Sequence, residues 1–205
     1  MKLYGHPMST CTRKVLTTLA EKGHEAEFVM VDIMKGEAKH AGHLAHQPFG
    51  KVPVLEDHNF WLYESRAIMR YLDEKLDGHK LVPTDIHDRA HMDQWMSVEY
   101  SYFSGPAMKI VMELLFGKMS GKTPDMDVVK TARDSVGAVF DVSEKALAHH
   151  HYFGGKTFSL ADISWMPYVQ YLFAAEQGDL ITSRPAMKAW WERVSTRPSW
   201  KKVAG

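Results

Sequence analysis

Residues 2–16 are KLYGHPMSTCTRKVL, a stretch that changes from a strand pattern to a helix pattern within a few residues. KLYG is a short strand-like run that ends at Gly5. From Thr10 to Lys22 the apolar residues recur at helical spacing, and Gly23 is a natural stop. A second strand is predicted from the run EFVMVDI at 27–33. Strand, helix and strand in succession predict a right-handed crossover with a parallel strand pair.

The next segments complete a first domain. A short, weak helix is predicted in 36–46, and two strands, VPVLED at 52–57 and FWLYE at 60–64, flank a His58-Asn59 turn and predict a hairpin. SRAIMRYLDEKL at 65–76 has the pattern of an amphipathic helix. The order β-α-β-α-β-β-α matches a thioredoxin-like α/β layout.

The second half has a different texture. A polar segment with Gly and Pro predicts a linker, and no convincing strand follows residue 86. Helical periodicity runs from 86 to about 117. We predict an interruption at Gly105-Pro106, because an internal proline removes a backbone hydrogen bond. Three later helices are also predicted. We therefore expect three parts: a thioredoxin-like domain at 1–77, a linker at 78–85 and an all-helical domain at 86–205. The later helices are predicted at 124–149, 159–173 and 185–198.

Composition excludes several classes of function. Among 205 residues, Lys+Arg and Asp+Glu both number 25, so the basic excess of a nucleic-acid-binding protein is missing. The single cysteine allows no internal disulfide. No apolar run is long enough to span a membrane, and the start lacks the apolar core of a secretory signal. The expected location is the cytoplasm.

Three side chains at the start of the first helix could carry chemistry: Ser9, Cys11 and Thr12. A serine at a helix start is usually an N-cap. The same helix end offers unpaired N–H donors that stabilise an anion, and a hydroxyl there can donate a hydrogen bond to a thiolate. Cys11 is the rival, since a helix N-terminus favours the reactive thiolate form, although a free cysteine is often only a small core residue. Thr12 is expected to be a helix-start residue.

Two further segments favour a peptide ligand. Val52-Pro53 opens a strand whose edge could pair with an extended peptide, and Lys51 beside it could pair with a carboxylate. Ser65 is an N-cap candidate at a second helix start that could bind a carboxylate, where Glu64 would meet an ammonium. Two helix ends and a strand edge would suit a short zwitterionic peptide.

Other motifs are predicted to be structural. SLAD at 159–162 fits a capping box with Asp162 at the third helical position, so Asp162 is expected to serve folding. The histidines at 40, 43 and 46 and at 149–151 have no neighbouring cysteine, and we expect no native metal site.

Five stretches together resemble a known family. LYGHPMSTCTRKVL, QPFGKVPVLED, YESRAIMRYL, FSLADI and PAMKAWWERVSTRPSWKKV, in this order, are similar to motifs of the cytosolic glutathione S-transferases, and most of all to the phi class. The resemblance runs nearly end to end. It implies an enzyme that joins the thiol of glutathione to small apolar electrophiles, with glutathione as co-substrate and no metal.

The resemblance also implies residue roles. Ser9 would donate a hydrogen bond to the glutathione sulfur and favour the thiolate. Val52, before the cis proline Pro53, would pair with the cysteinyl part, and Glu64 and Ser65 would hold the γ-glutamyl end. The remaining expected contacts are Lys39, His40 and Lys51 at the glycyl carboxylate, Met8, Tyr102, Met108, Met112 and Phe116 at the electrophile, and Phe49 at the partner of a homodimer.

Two departures leave alternatives open. Phi-class members carry His at the position of Ala38 and Gln at that of Lys51, so the glycyl contact could move to Lys39 or His40. Cys11 lies about where beta-class enzymes carry a cysteine, which allows a Cys11-dependent thiol oxidoreductase or peroxidase. A non-catalytic ligand-binding relative is the third possibility.

Overall fold

The computed structural model describes residues 1–204. Strands and helices alternate in the first part, with one 3₁₀ turn at Glu37–Lys39. The elements are β1 (Lys2–Gly5), α1 (Thr10–Glu21), β2 (Glu27–Met30), α2 (Ala41–Leu44), β3 (Val54–Asp57), β4 (Phe60–Tyr63) and α3 (Ser65–Lys75).

The four strands form one mixed sheet in the order β2-β1-β3-β4. β1 pairs in parallel with β2, while β3 pairs antiparallel with both β1 and β4. The predicted parallel strand pair and the predicted hairpin are therefore confirmed. β2 ends at Met30, shorter than the predicted run to Ile33, and the weak helix predicted in 36–46 is a 3₁₀ turn followed by the single turn of α2.

The core of this unit lies where α1 and α3 pack against each other. Leu3 of β1 and Leu55 of β3 are fully buried, as are Ile68 and Leu72 on the apolar face of α3. Burial of each such side chain contributes about 1.5–3 kcal/mol. The apolar periodicity of 65–76 thus predicted the buried face of α3.

The last helix, α10 (Pro198–Ala204), also packs on α1. Residues Met1–Val82 and this helix form one compact unit, the N-terminal unit, and Pro83–Arg197 form the other, the helical unit. This placement of α10 differs from the predicted helical domain at 86–205. Ser199 donates to Glu21 near the end of α1, a long-range contact that local periodicity does not reveal.

The helical unit contains no strand among its described residues. Two short helices were not predicted, one at Asp179–Thr182 in this unit and α10 in the N-terminal unit. The elements of the unit are α4 (Ile86–Val98), α5 (Ser104–Val111), α6 (Met126–Leu147), α7 (Leu160–Ala174), α8 (Asp179–Thr182) and α9 (Pro185–Ser195), with π-helical turns at Glu99–Phe103 and Met112–Gly117.

The prediction that the helix is interrupted at Gly105-Pro106 is wrong, because Pro106 lies within α5. The wide turn before it joins α4 to α5 without a loop, and the Ser104 N–H donates to the Glu99 carbonyl, five residues back. Such a turn gives the pyrrolidine ring room that a regular α-turn denies it.

The predicted capping box at the start of α7 is confirmed. Ser159 Oγ accepts from the Ala161 N–H at 3.3 Å, and the Asp162 carboxylate accepts from the Ser159 N–H at 2.9 Å. Asp162 also accepts from the Trp190 indole at 2.8 Å, so one buried carboxylate links α7 to α9. Within residues 1–204, no helix has the length and apolar character needed to cross a membrane.

Candidate active site

Three segments that carry predicted site residues leave the sheet at one end. Tyr4, near the end of β1, pairs with Val54 at the start of β3, and Val54 pairs with Tyr63 at the end of β4. Ser9 follows β1, Val52 and Pro53 precede β3, and Glu64 and Ser65 follow β4. The antiparallel register therefore brings these groups to one end of the sheet, although Ser9 and Ser65 are 56 residues apart in sequence (65 − 9).

Ser9 is the N-cap of α1. Its backbone is extended (φ −76°, ψ 121°), and its Oγ accepts a hydrogen bond from the Thr12 N–H at 3.2 Å. The hydroxyl is half-buried at the helix end where the macrodipole is positive. Since Oγ uses a lone pair for the cap, its own hydrogen remains available to donate to an anion in front of the helix.

Cys11 and Met8 lie on either side of Ser9. Cys11 is the second residue of α1, and its side chain is half-buried. Met8 is also half-buried, and its N–H donates to Nδ1 of His6 at 3.2 Å, which shapes the turn that leads to Ser9.

The loop before Pro53 is held by side chains from the segment around α2. Lys39 Nζ donates to the Phe49 carbonyl at 3.0 Å, and Gly50 permits this approach because a Cβ there would meet the Lys39 amine at 2.7 Å. The Lys51 N–H donates to Gln47 Oε1 at 3.1 Å, and His43 Nε2 lies 2.7 Å from the Lys51 carbonyl oxygen. The Lys51 side chain and His40 are exposed. The Val52-Pro53 peptide bond is cis, as the resemblance implied.

Glu64, not Ser65, is the N-cap of α3, and its side chain makes no capping hydrogen bond. Ser65 is the first helical residue and is buried. Glu64 has φ 70° and ψ 111°, a conformation that costs a non-glycine residue about 1–3 kcal/mol. Ser65 was predicted as the cap because its hydroxyl suits that role, but the strained turn at Glu64 moves the helix start by one residue.

The remaining candidates are apolar. In the helical unit Tyr102 and Met112 are exposed, and both lie in π-helical turns, whereas Met108 and Phe116 are half-buried. The rings of Phe116 and Tyr171 form a T-shaped pair at a centroid distance of 5.4 Å. In the N-terminal unit, Phe49 is 62% exposed at the tip of its loop.

Both halves of the chain match family models. Residues 1–74 match the model described as "Glutathione S-transferase, N-terminal domain", and residues 106–198 match "Glutathione S-transferase, C-terminal domain". The chain belongs to the glutathione S-transferase family. Together the two models cover more than half of it, and the resemblance drawn from the five sequence motifs is confirmed.

Individual relatives place this glutathione S-transferase near the phi class. Glutathione S-transferase F11 of Arabidopsis thaliana is 40% identical over 206 residues, which is 99% of this chain and 96% of the relative. The crystal structure of glutathione transferase F7 from Populus trichocarpa has a TM-score of 0.94 at 39% identity, covering 99% and 97% of the two chains. The structure of glutathione S-transferase I from mais with an atrazine glutathione conjugate has a TM-score of 0.91 at 34% identity, covering 99% and 95%.

Tyr4 is the tyrosine nearest to Ser9 along the chain of this transferase, and its hydroxyl is hydrogen-bonded to another side chain. Its hydroxyl donates to Glu56 at 2.7 Å, and this bond, reinforced by burial, raises the pKa of Tyr4 to about 12. A phenol whose hydrogen is given to a carboxylate is not available to donate to a thiolate at the helix end. Among the described residues, no group of three or more His, Cys, Asp or Glu could hold a metal ion.

Sequence reasoning missed His43 and Gln47, which contact the backbone beside the candidate site. Their spacing of four residues, shared with Lys39, was the available signal, since such residues lie on one face of a helical segment. A hydrogen bond from a side chain to a loop carbonyl cannot be recognised from composition or periodicity. The three histidines at 40, 43 and 46 were therefore considered only as possible metal ligands.

Proposed function

We propose that this glutathione S-transferase joins glutathione to small apolar electrophiles and that Ser9 stabilises the glutathione thiolate. The observation that carries the proposal is the position of the Ser9 hydroxyl, capping α1 at the sheet end from which the Val52 and Ser65 segments also leave. In this reaction the thiol loses its proton to solvent. The thiolate sulfur then attacks the electrophilic carbon, a C–S bond forms, and any leaving group departs with its electron pair.

Ser9 would act by hydrogen bonding, not as a nucleophile. Its hydroxyl donates to the sulfur, and a bond to the charged form lowers the pKa of the thiol. The Thr12 N–H that donates to Ser9 Oγ polarises the hydroxyl and strengthens this donation. The positive end of α1 favours the same anion.

The rest of glutathione would occupy neighbouring backbone and side-chain groups. Val52 would pair its backbone with the cysteinyl residue, as an added strand pairs with a sheet edge. Lys39, His40 and Lys51 offer their cationic or imidazole groups to the glycyl carboxylate. Lys39 can contribute although it also bonds to the Phe49 carbonyl, because an ammonium has three donors.

Glu64 and Ser65 would hold the γ-glutamyl end. The exposed Glu64 carboxylate suits the ligand ammonium, and the α3 start, with the Ser65 hydroxyl, suits the ligand carboxylate. The left-handed backbone at Glu64 supports this role, because such strain persists where a local geometry serves a site.

Two further proposals concern the residues that contact the electrophile and the oligomeric state. Met8 in the N-terminal unit and Tyr102, Met108, Met112 and Phe116 in the helical unit remain the predicted apolar contacts. A homodimer with two-fold symmetry is proposed because Phe49 exposes a large ring to solvent, and Phe49→Ala should then shift a light-scattering mass towards the monomer.

The proposed mechanism is tested by the ultraviolet difference spectrum of bound glutathione against pH. In the wild type a thiolate band should be present near neutral pH, and Ser9→Ala should remove it and lower kcat/KM by about 100-fold. Ser9→Thr, which keeps a hydroxyl, should retain part of the band. The readout separates binding from activation because glutathione can still bind to the alanine variant.

Cys11→Ala is the matched variant two residues away. Wild-type behaviour in this variant supports the serine mechanism. A band that survives Ser9→Ala but is lost in Cys11→Ala would move the mechanism to Cys11-dependent redox chemistry. Glutathione binding without a band in any protein would favour a non-catalytic binder.

A further inference from the structure

His43 contacts the carbonyl oxygen of the residue that precedes Val52. Its Nε2 lies 2.7 Å from that Lys51 oxygen, and since a carbonyl can only accept, Nε2 carries the hydrogen and donates it. Gln47, four residues on, accepts from the N–H of the same Lys51 at 3.1 Å. Two side chains of one segment thus bond to both main-chain polar groups of Lys51.

This arrangement fixes the peptide unit that presents the Val52 N–H. The Lys51–Val52 peptide bond is trans, and in a planar trans peptide the carbonyl and the following N–H point in opposite directions. A donor that holds the Lys51 carbonyl on one side therefore aims the Val52 N–H at the other side. Accepting a hydrogen bond also polarises the amide, which makes its N–H a stronger donor.

We propose that His43 is a positioning residue for glutathione, acting through the Lys51–Val52 peptide unit. This inference rests on the proposed function, in which the Val52 backbone pairs with the cysteinyl part of glutathione. His43 itself does not contact the ligand. Its bond to Lys51 sets the direction of the Val52 N–H before glutathione arrives, so less ordering is needed on binding.

The surroundings of His43 make the idea testable by substitution. The imidazole is half-exposed and borders a cavity of about 270 Å³, whose lining includes Val54 and Trp61. A leucine can therefore replace it without overpacking and without a donor. Glutamine keeps an N–H donor near the position of Nε2, so His43→Gln is the conservative variant.

The experiment measures the glutathione Kd by calorimetry and the KM values with 1-chloro-2,4-dinitrobenzene as electrophile. His43→Leu should raise the glutathione Kd and KM about 3- to 10-fold, as expected when a single hydrogen bond is lost, with little change in the KM for the electrophile. His43→Gln should restore at least half of the affinity on a logarithmic scale. His91→Leu, the same change at an exposed position of α4, is the matched control and should leave Kd unchanged.

Hydrogen exchange of residues 47–55 in the ligand-free proteins gives a readout that does not depend on activity. Exchange should be faster in His43→Leu and near normal in His43→Gln. Unchanged exchange or an unchanged Kd in His43→Leu overturns the inference while the transferase function stands. A wild type that binds no glutathione overturns the proposed function and the inference together, and unaltered exchange in the control shows that the effect is local.

Discussion

The buried ion pair between Lys22 and Asp73 provides a strong test of how the N-terminal unit holds its last loop. Lys22 Nζ lies 3.1 Å from Asp73 Oδ1, and both side chains are at most 1% exposed. The carboxylate also accepts from the N–H groups of Leu81 and Val82 at 2.8 and 3.0 Å. One side chain of α3 therefore neutralises a buried cation and satisfies two loop amides, and we predict that Asp73→Ala is severely destabilising.

The magnitude follows from what the substitution leaves behind. Removal of one partner from a buried ion pair costs about 3–5 kcal/mol, because the other charge stays buried. The Lys22 ammonium keeps the carbonyls of Asp73 and His79 as acceptors, at 3.2 and 3.0 Å, and this limits the loss. Two amides lose their partner at about 1–3 kcal/mol each unless water reaches them. We expect the lower end of these ranges, about 5 kcal/mol in total, or a Tm about 10–20 °C lower.

Urea unfolding followed by circular dichroism measures this loss, and hydrogen exchange of residues 79–82 locates it. The neighbouring Glu74→Ala is the matched control, because the Glu74 carboxylate is 90% exposed and only 3.6 Å from Lys80, a surface pair that contributes under about 1 kcal/mol. In the double variant Lys22→Met with Asp73→Ala no charge is stranded, so part of the stability should return. An Asp73→Ala protein within about 1 kcal/mol of wild type would refute the reasoning.

Three further predictions concern other charged contacts. The hydrogen bond from Lys75 holds the pKa of Asp57 well below its usual range, so this contribution to stability is present above about pH 4 and is lost as the pH falls further; Asp57→Asn should flatten the dependence of the urea midpoint on pH in that range. Tyr4 should ionise near pH 12 in an ultraviolet titration, and Glu56→Gln should bring it towards its ordinary value near pH 10. Glu144 accepts two N–H bonds, at 2.9 and 2.8 Å, from the first turn of α9, and Glu144→Ala should lower the free energy of unfolding by about 1–2 kcal/mol, measured by urea denaturation.

Local sequence patterns correctly predicted the elements that are determined by interactions between residues close in sequence. The apolar period of 65–76 predicted α3, because its buried face is set by residues three and four apart. The hairpin needed only two short apolar runs and a turn. The Ser159–Asp162 box acts within one helical turn, so its spacing in the sequence was sufficient.

The structure differs from the prediction where contacts between residues distant in sequence determine the packing. Whether residues 198–204 pack with the helices or on α1 depends on contacts across nearly 180 positions, such as that of Ser199 with Glu21. Glu64 takes the cap position that the side-chain preference assigned to Ser65, since surrounding structure can hold a strained backbone that no local preference favours.

In the candidate site, too, some features follow from the sequence and others only from the tertiary structure. Helix-end chemistry indicates Ser9 or Cys11, and a strand edge and a second helix start indicate Val52, Glu64 and Ser65, because these are properties of short segments. The family resemblance is what favours Ser9 over Cys11. That these segments lie at one end of a sheet was decided by the pairing of Tyr4 with Val54 and of Val54 with Tyr63. The bond from His43 to Lys51 is also purely tertiary, since a side chain finds a loop carbonyl only after the backbone around both has been placed.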